Sequence, residues 1–544
     1  MSRSLGLASR RVLFSAMASL LLGLSCAAAS ARAATIEANC TNLQERLNTA
    51  EAGETLTLDG VCQGGFTLPS KVAFTLEGKA GTSSGFDGSL GSPELLLDGG
   101  EVGILTVRNL TFEHASGAGE GAALHLTADT AALTQLTLDH DSFLHNSTTG
   151  SHGGALVIYT GSCSGRTSGS LAITNSLFEG NQVNDTTGSP GGGAVDLSQD
   201  CEAISTTLSH DVFRGNSVNV TAQDGSGGAV LLSNYSPGLP PVLQTDNTFD
   251  SNSITNTGAP GSYSGGGEWT VGFQVSSTGD SYTNNSLPGS GAGTDSSEGA
   301  GLGTVNTTCN VEKSNSATTT AVNLVAAANK IGSSAEGTSE GAGLYAGCGT
   351  GVGFEQLTLE DSTVTGNVSS GGTAGVNGEE TDHLTLKNSI VYGNSGGADL
   401  GGFAGVGGSL AATYSDVCSG TAPLTGVGNI CAAPQLASPS TGDVHETGSS
   451  PTIDAGSNPL VPSGLSTDVF GGERILAGHL GCTVENPKVV DIGADEFIPP
   501  VPPCVPMIVP PPFFPKPALA SLVKLKLGPT SATLKITCKG TSTQ

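Results

Sequence analysis

Apolar and polar residues alternate along this chain in short runs, and the runs recur at a nearly constant distance. Ala155-Leu-Val-Ile-Tyr159, Ser170-Leu-Ala-Ile-Thr174 and Ala229-Val-Leu-Leu232 each read as a strand with one face in a core. An aromatic or aliphatic residue is followed three positions later by Asn at Phe143/Asn146, Phe178/Asn181, Phe213/Asn216 and Phe249/Asn252. Weaker copies follow at Tyr282/Asn285, Val364/Asn367 and Val391/Asn394. The first four Phe residues lie 35, 35 and 36 positions apart. Each repeat then carries a small-residue box, as at Gly153-Gly154-Ala155, Gly192-Gly193-Ala194 and Gly227-Gly228-Ala229.

A unit of this kind cannot bury its apolar face alone. Stacked at about 4.8 Å, successive units place Phe on Phe and pair their backbones between units rather than within them. Glycine supplies corners where a Cβ would strike the unit above, and the Asn residues are placed to form a side-chain amide ladder. The expected fold is all-β, a right-handed parallel β-helix with a short N-terminal helical cap and a C-terminal β cap. Each unit has room for two or three short strands. That count, and the scarcity of aromatics, disfavours a β-propeller, whose repeat is of similar length. No window sustains a helical period, although Asn42-Leu-Gln-Glu-Arg-Leu-Asn48 is a short amphipathic exception, with Leu43 and Leu47 on one side.

Composition agrees. The chain has 544 residues, 81 of them Gly, with only 12% charged and 4% aromatic, which suits one long repetitive element better than several compact cores. Formal net charge is −28. Between positions 101 and 400 the basic residues are Arg108, Arg166, Arg214, Lys313, Lys330 and Lys387, against 29 Asp and Glu. A surface so poor in clustered cations excludes nucleic acid as a partner. Arg3, Arg10 and Arg11, an apolar run from Val12 to Leu24 and Ala31-Arg32-Ala33 form an export signal over residues 1–33, with Cys26 offering a lipoprotein alternative. No later stretch is apolar enough to span a membrane. The mature chain is therefore expected to be a monomer, secreted or held at the cell surface, with glycans or surface components as partners.

Cysteines in an exported chain are expected in disulfides. Sequence neighbours suggest Cys40 with Cys62, Cys163 with Cys201, Cys309 with Cys348, Cys418 with Cys431, and Cys482 with Cys504, leaving Cys538 over. Residues 34–98 form the N-terminal cap and first coils, 99–400 the repeats and 401–497 the last coil and its cap. A proline-rich linker, 498–517, leads into 518–544, which read as the start of a truncated β-sandwich.

The Phe-x-x-Asn and Gly-Gly-Ala boxes resemble the repeat of polymorphic outer-membrane proteins and related β-helix surface proteins. Ser450-Pro-Thr-Ile-Asp-Ala-Gly456, Asp468, Gly472, Arg474 and Asp491-Ile-Gly-Ala-Asp-Glu-Phe497 are similar to the choice-of-anchor Q domain, with Asp495 in place of the aromatic usual before the Glu. The resemblance implies a bacterial surface protein with a structural, adhesion or glycan-binding role.

The rival expectation is a polysaccharide lyase or glycoside hydrolase of the pectin-lyase-like superfamily. A lyase needs a base beside acidic calcium ligands, but the few cations fall on different repeats. A hydrolase needs two carboxylates at a defined separation. Asp139 with Asp141 is a better candidate pair than Glu360 with Asp361, since residues two apart on a strand share a face. His114, His125, His140, His145 and His152 cluster in the first coils, but His140-Asp141 and His210-Asp211 precede Phe in one register, which favours a structural role. No residue is assigned as catalytic and no cofactor is expected; Asp454, Asp468 and Asp491 are the residues through which calcium would bind if any does.

Overall fold

The computed structural model describes residues 35–69, 72–89, 97–99, 103–127, 135–160, 169–185, 188–199, 204–222, 224–235, 240–291, 295–305, 317–333, 338–347, 354–379, 382–403, 407–478 and 487–500. The expected export signal, the residues from 501 onward, Cys26, Cys163, Cys201, Cys309, Cys348, Cys482, Cys504 and Cys538 lie outside the described residues.

The repeats form a parallel β-helix. A leucine-lined sheet of thirteen strands runs from Thr35–Asn39 to Ser409–Thr413. A phenylalanine-lined sheet starts at Val61–Cys62 and continues through Ser142–Leu144 to Asp416–Ser419. A third face has eleven strands, from Phe66–Thr67 to Ala398–Gly401. Eight short strands, from Ser116–Gly117 to Val368–Ser369, bridge the second and third faces, and a four-stranded edge sheet, Gly225–Ser226 to Thr338–Glu340, is added in the middle coils. A full coil therefore holds four or five short strands, more than the two or three expected, because the corners consume so few residues that two-residue strands fit between them.

The columns follow the repeat. Phe112, Phe143, Phe178, Phe213, Phe249 and Tyr282 are register partners on successive coils. Their rings stack with centroids 4.6–5.0 Å apart and interplanar angles of 4–14°. Phe86 extends the stack by one coil, and Ala326, Val364 and Val391 continue the column beyond Tyr282. Offset aromatic contacts of this kind add about 0.5–1.5 kcal/mol each to the burial of the rings.

The Asn column is a buried ladder. The Nδ2 of Asn146, Asn181, Asn216, Asn252, Asn285, Asn329 and Asn367 donates to the Oδ1 of the next Asn at 2.8–3.0 Å, ending at Asn394. The same Nδ2 also donates to a carbonyl of the preceding coil, as Asn216 does to Phe178 at 2.9 Å. The left-handed conformation belongs to the residue before each ladder Asn: His145 at φ 52°, Gly180 at 66°, Gly215 at 61° and Ser251 at 60°. At this corner the amide ladder spares the next backbone N–H, which makes the strained φ tolerable even for His and Ser.

The short helix Leu43–Asn48 lies beside the first strands and buries Leu43 and Leu47 in the main core. Cys40 and Cys62 form a disulfide there. At the other end residues 420–431 run over the last coil. Val417 donates to the Ile430 carbonyl, Ile430 to that of Ser415 and Tyr414 to that of Val427, and the Cys418–Cys431 disulfide closes the loop. The segment after it does not cover that end. Residues 436–478 and 487–497 run back along the flank of the phenylalanine sheet as a strap, with Val444 and Ala494 packed on Val325 and Ala327.

Candidate functional site

A strip of mixed polar and aromatic side chains in register lies on the third face. There Val157, Asp196, Leu231, Trp269, Gly303, Tyr345 and Asn377 are partners on seven successive coils. Beside them runs an edge column of His152, Gly191, Ser226, Ser264, Glu298 and Glu340. The two columns form a strip of roughly 29 Å, six steps at about 4.8 Å.

The strip has three parts. At one end His152 Nδ1 lies 2.7 Å from Asp196 Oδ2, and Ser198 Oγ donates to the other Asp196 oxygen at 2.6 Å. Burial lowers the imidazole pKa, but the Asp196 hydrogen bond and the charges of Asp196, Glu120 and Asp185 outweigh it, so the net shift is upward. In the middle Leu231, Trp269 and Tyr345 pack with Val271 and Val305 as an apolar cluster separate from the main core. Trp269 and Tyr345 are only 8% and 4% exposed, so they form a floor rather than open platforms. The indole lies across Gly303 of the next coil, where a Cβ would come within 2.1 Å of Trp269 Cζ3.

At the far end Tyr345 donates to Glu379 at 3.2 Å and Asn377 Nδ2 to Glu340 at 2.9 Å. Burial pushes Glu298 up to about 7, helped by the charges of Glu340 and Glu379. Glu340 and Glu379 are also raised, chiefly by burial.

The carboxylate pairs singled out in the sequence do not converge. Asp139 sits at a partly exposed corner, accepting from Thr174 and Asn175, whereas Asp141 is buried and accepts the Leu110 N–H at 2.9 Å. Glu360 pairs with Lys387 and Asp361 with Arg474. Arg214 ends a strand of the phenylalanine sheet 3.9 Å from Asp250. His114, His140, His145 and His210 all occupy left-handed corners at φ 52–59°.

Asp454, Asp468 and Asp491 spend their oxygens on backbone amides. Asp491 accepts from Asp454 and Phe497, Asp468 from Phe470, Gly472 and Glu496, and Asp454 from Gly478. Among the described residues the acid and His ligand atoms that gather within 4.8 Å belong instead to Asp87, Glu113 and His114.

The strap is held by Arg474, which is 1% exposed. Its guanidinium bridges Asp361 of the β-helix at 3.0 Å and the strap carbonyls of Asp491, Gly493 and Asp495. Asn388 and Thr363 add hydrogen bonds to Ser457, Gly493 and Ala494.

Two further polar features lie inside the coils. Asp141, Ser176, Asp211, Asn247 and Asp280 form a second ladder in which each side chain accepts a backbone N–H from the preceding coil. Glu268, wholly buried, accepts from Gln244, Tyr282 and Thr270. Neither announces itself in sequence, since the residue type changes from coil to coil.

No protein-family model matches the chain, and no curated protein matches it in sequence.

Proposed function

We propose that this is an exported β-helix surface protein that holds a glycan along the strip on its third face, in an adhesive or structural role. The observation that carries the reading is the strip itself. His152–Asp196, the Trp269–Tyr345 floor and Glu298/Glu340/Glu379 stand in line on a scaffold whose ladders forbid sliding, a geometry suited to an extended ligand. The two disulfides and the described helices, none long and apolar enough to cross a membrane, are compatible with an extracellular setting. The Phe-x-x-Asn repeats and the choice-of-anchor-Q-like strap support placement at a bacterial surface. Binding of soluble polysaccharides to the intact chain tests the reading. Retention that falls at least about tenfold in Glu340→Gln and Asp196→Asn supports it; equal retention by both variants removes it.

A second reading, glycoside hydrolysis, is favoured by the raised Glu298 beside Glu340 and Glu379. Neighbouring carboxyls pushed up by burial are the kind of groups such chemistry uses. Reducing ends released by the wild type and abolished by Glu298→Gln would make this the better description.

A further inference from the structure

A concave site lies on another side of the molecule, where the strap passes over the corners of the middle coils. It is a cleft of about 540 Å³, bounded on the β-helix side by His210, Asp246, Thr248 and Ser281 and on the strap side by Asp468 and Phe470. Its size falls within the range of small-ligand pockets, roughly 300–1,000 Å³.

The corner positions make this place. His210 and Asp246 are left-handed residues of adjacent coils, at φ 58° and 53°, and the next corner is Gly279. A Cβ on Gly279 would lie 2.1 Å from Asp246 Oδ1, so the glycine lets the carboxylate rest over the corner. His210 Nε2 sits 3.4 Å from Asp246 Oδ2, and His210 Nδ1 is 2.8 Å from Ser209 Oγ. Both side chains stay more than half exposed, at 58% and 56%. Thr248 and Ser281 are register partners on adjacent strands. Opposite them stands Phe470, 47% exposed in a chain with few aromatics. Its ring is stacked on His445 with centroids 3.7 Å apart, and His445 is fixed in turn by Asp443 at 2.7 Å.

An aromatic ring held on one side and hydroxyl, imidazole and carboxylate groups on the other match a sugar ring, which offers C–H faces and a rim of hydroxyls. The charge then selects among sugars. Asp246, Asp468 and nearby Asp443 are acidic, and the cleft lining contains no Lys or Arg. An anionic sugar would be repelled. We propose that this cleft binds one or two rings of an uncharged or amine-bearing saccharide, independently of the strip on the third face.

Saturation-transfer NMR on the full chain, with cellobiose, glucosamine dimer and digalacturonate as probes, tests this. Signal from cellobiose or the glucosamine dimer, none from digalacturonate, and a loss of about tenfold or more in affinity in both Phe470→Ala and Asp246→Asn are expected. Asn tolerates the left-handed corner, so Asp246→Asn keeps the fold even if Phe470→Ala loosens the strap. Glu340→Gln, on the strip, leaves this binding unchanged whether or not the strip itself holds a glycan. Silence from both neutral and amine probes overturns the proposal, as does binding that survives Asp246→Asn or that disappears only with Glu340→Gln.

Discussion

At the residue scale the ladders bear the largest loads. Asn216 accepts from the backbone and side chain of Asn181 and donates to Asn252 and Phe178, all in the dry interior. Asn216→Ala leaves the buried Asn181 N–H without its acceptor and takes one hydrogen bond each from Asn181 Nδ2, Asn252 Oδ1 and the Phe178 carbonyl, with about 1–3 kcal/mol at stake for a buried group left unpaired. We expect a loss of at least about 3 kcal/mol in denaturant melts, whereas Asn48→Ala, at an exposed position, should cost far less. The second ladder predicts a pH dependence. Burial raises Asp141 to about 8 and Asp211 and Asp280 to about 7, against 3.8 for an ordinary Asp. Below pH 4 both folded and unfolded states hold these protons. As the pH rises the unfolded chain releases them first, so stability falls between about pH 4 and 8. Thermal melting should therefore be higher at pH 5 than at pH 8.5, and Asp141→Asn should reduce the difference by at least about 1 kcal/mol, the scale of one pKa unit. Asn247 already fills the equivalent position without charge. The Phe and Asn columns could be read from sequence because the same residue type returns on each coil. The second ladder could not, because Asp, Ser and Asn accept the same N–H equally well. The left-handed corners were likewise hidden: the residue before each ladder Asn is His, Gly, Ser, Asn or Ala, so no one residue type marks the position.

At the element scale the strap depends on one side chain. Arg474 is almost fully buried, and its partners belong to two separate parts of the chain, Asp361 on the β-helix and the carbonyls of 491–495 on the strap. Removing one member of a buried ion pair costs about 3–5 kcal/mol, since the other is left uncompensated. Arg474→Met should release residues 436–497 to limited proteolysis while protection of the coils, read by hydrogen exchange, stays near wild type. Cleavage spread equally over the coils would contradict an independent strap. The sequence placed the last coil and its cap over 401–497, and the motifs at 450–456 and 491–497 both lie in the strap. Its position on the flank was not readable, because Asp361 and Arg474 are 113 residues apart and nothing in their local sequence links them. The closing of the last coil was readable in part: the short spacing of Cys418 and Cys431 pointed to the loop that now covers it.

At the scale of the whole molecule the β-helix is a one-dimensional stack in which each coil meets its two neighbours. The strip on the third face is a product of that stacking. It draws one or two residues from each coil, His152 and Asp196 among the early coils and Glu340 and Asn377 among the late ones, and the sequence scatters them over more than two hundred positions. Pairs close in sequence, such as Asp139 and Asp141, could be weighed beforehand; a column of unlike residues could not, because it exists only once the register is known. Register is therefore the claim on which the strip, the ladders and the corners all rest. Cysteine pairs on the leucine-lined sheet test it directly. Thr137 and Ala172 are partners on adjacent strands, and Ala172 is in turn the partner of Thr207. Neighbouring strands stand about 4.8 Å apart, within the 4.4–6.8 Å that a disulfide spans between Cα atoms, whereas two steps lie beyond it. Thr137→Cys with Ala172→Cys should cross-link under mild oxidation, as read by mass spectrometry of the peptides. Thr137→Cys with Thr207→Cys should not; preferential cross-linking of that second pair would contradict the account.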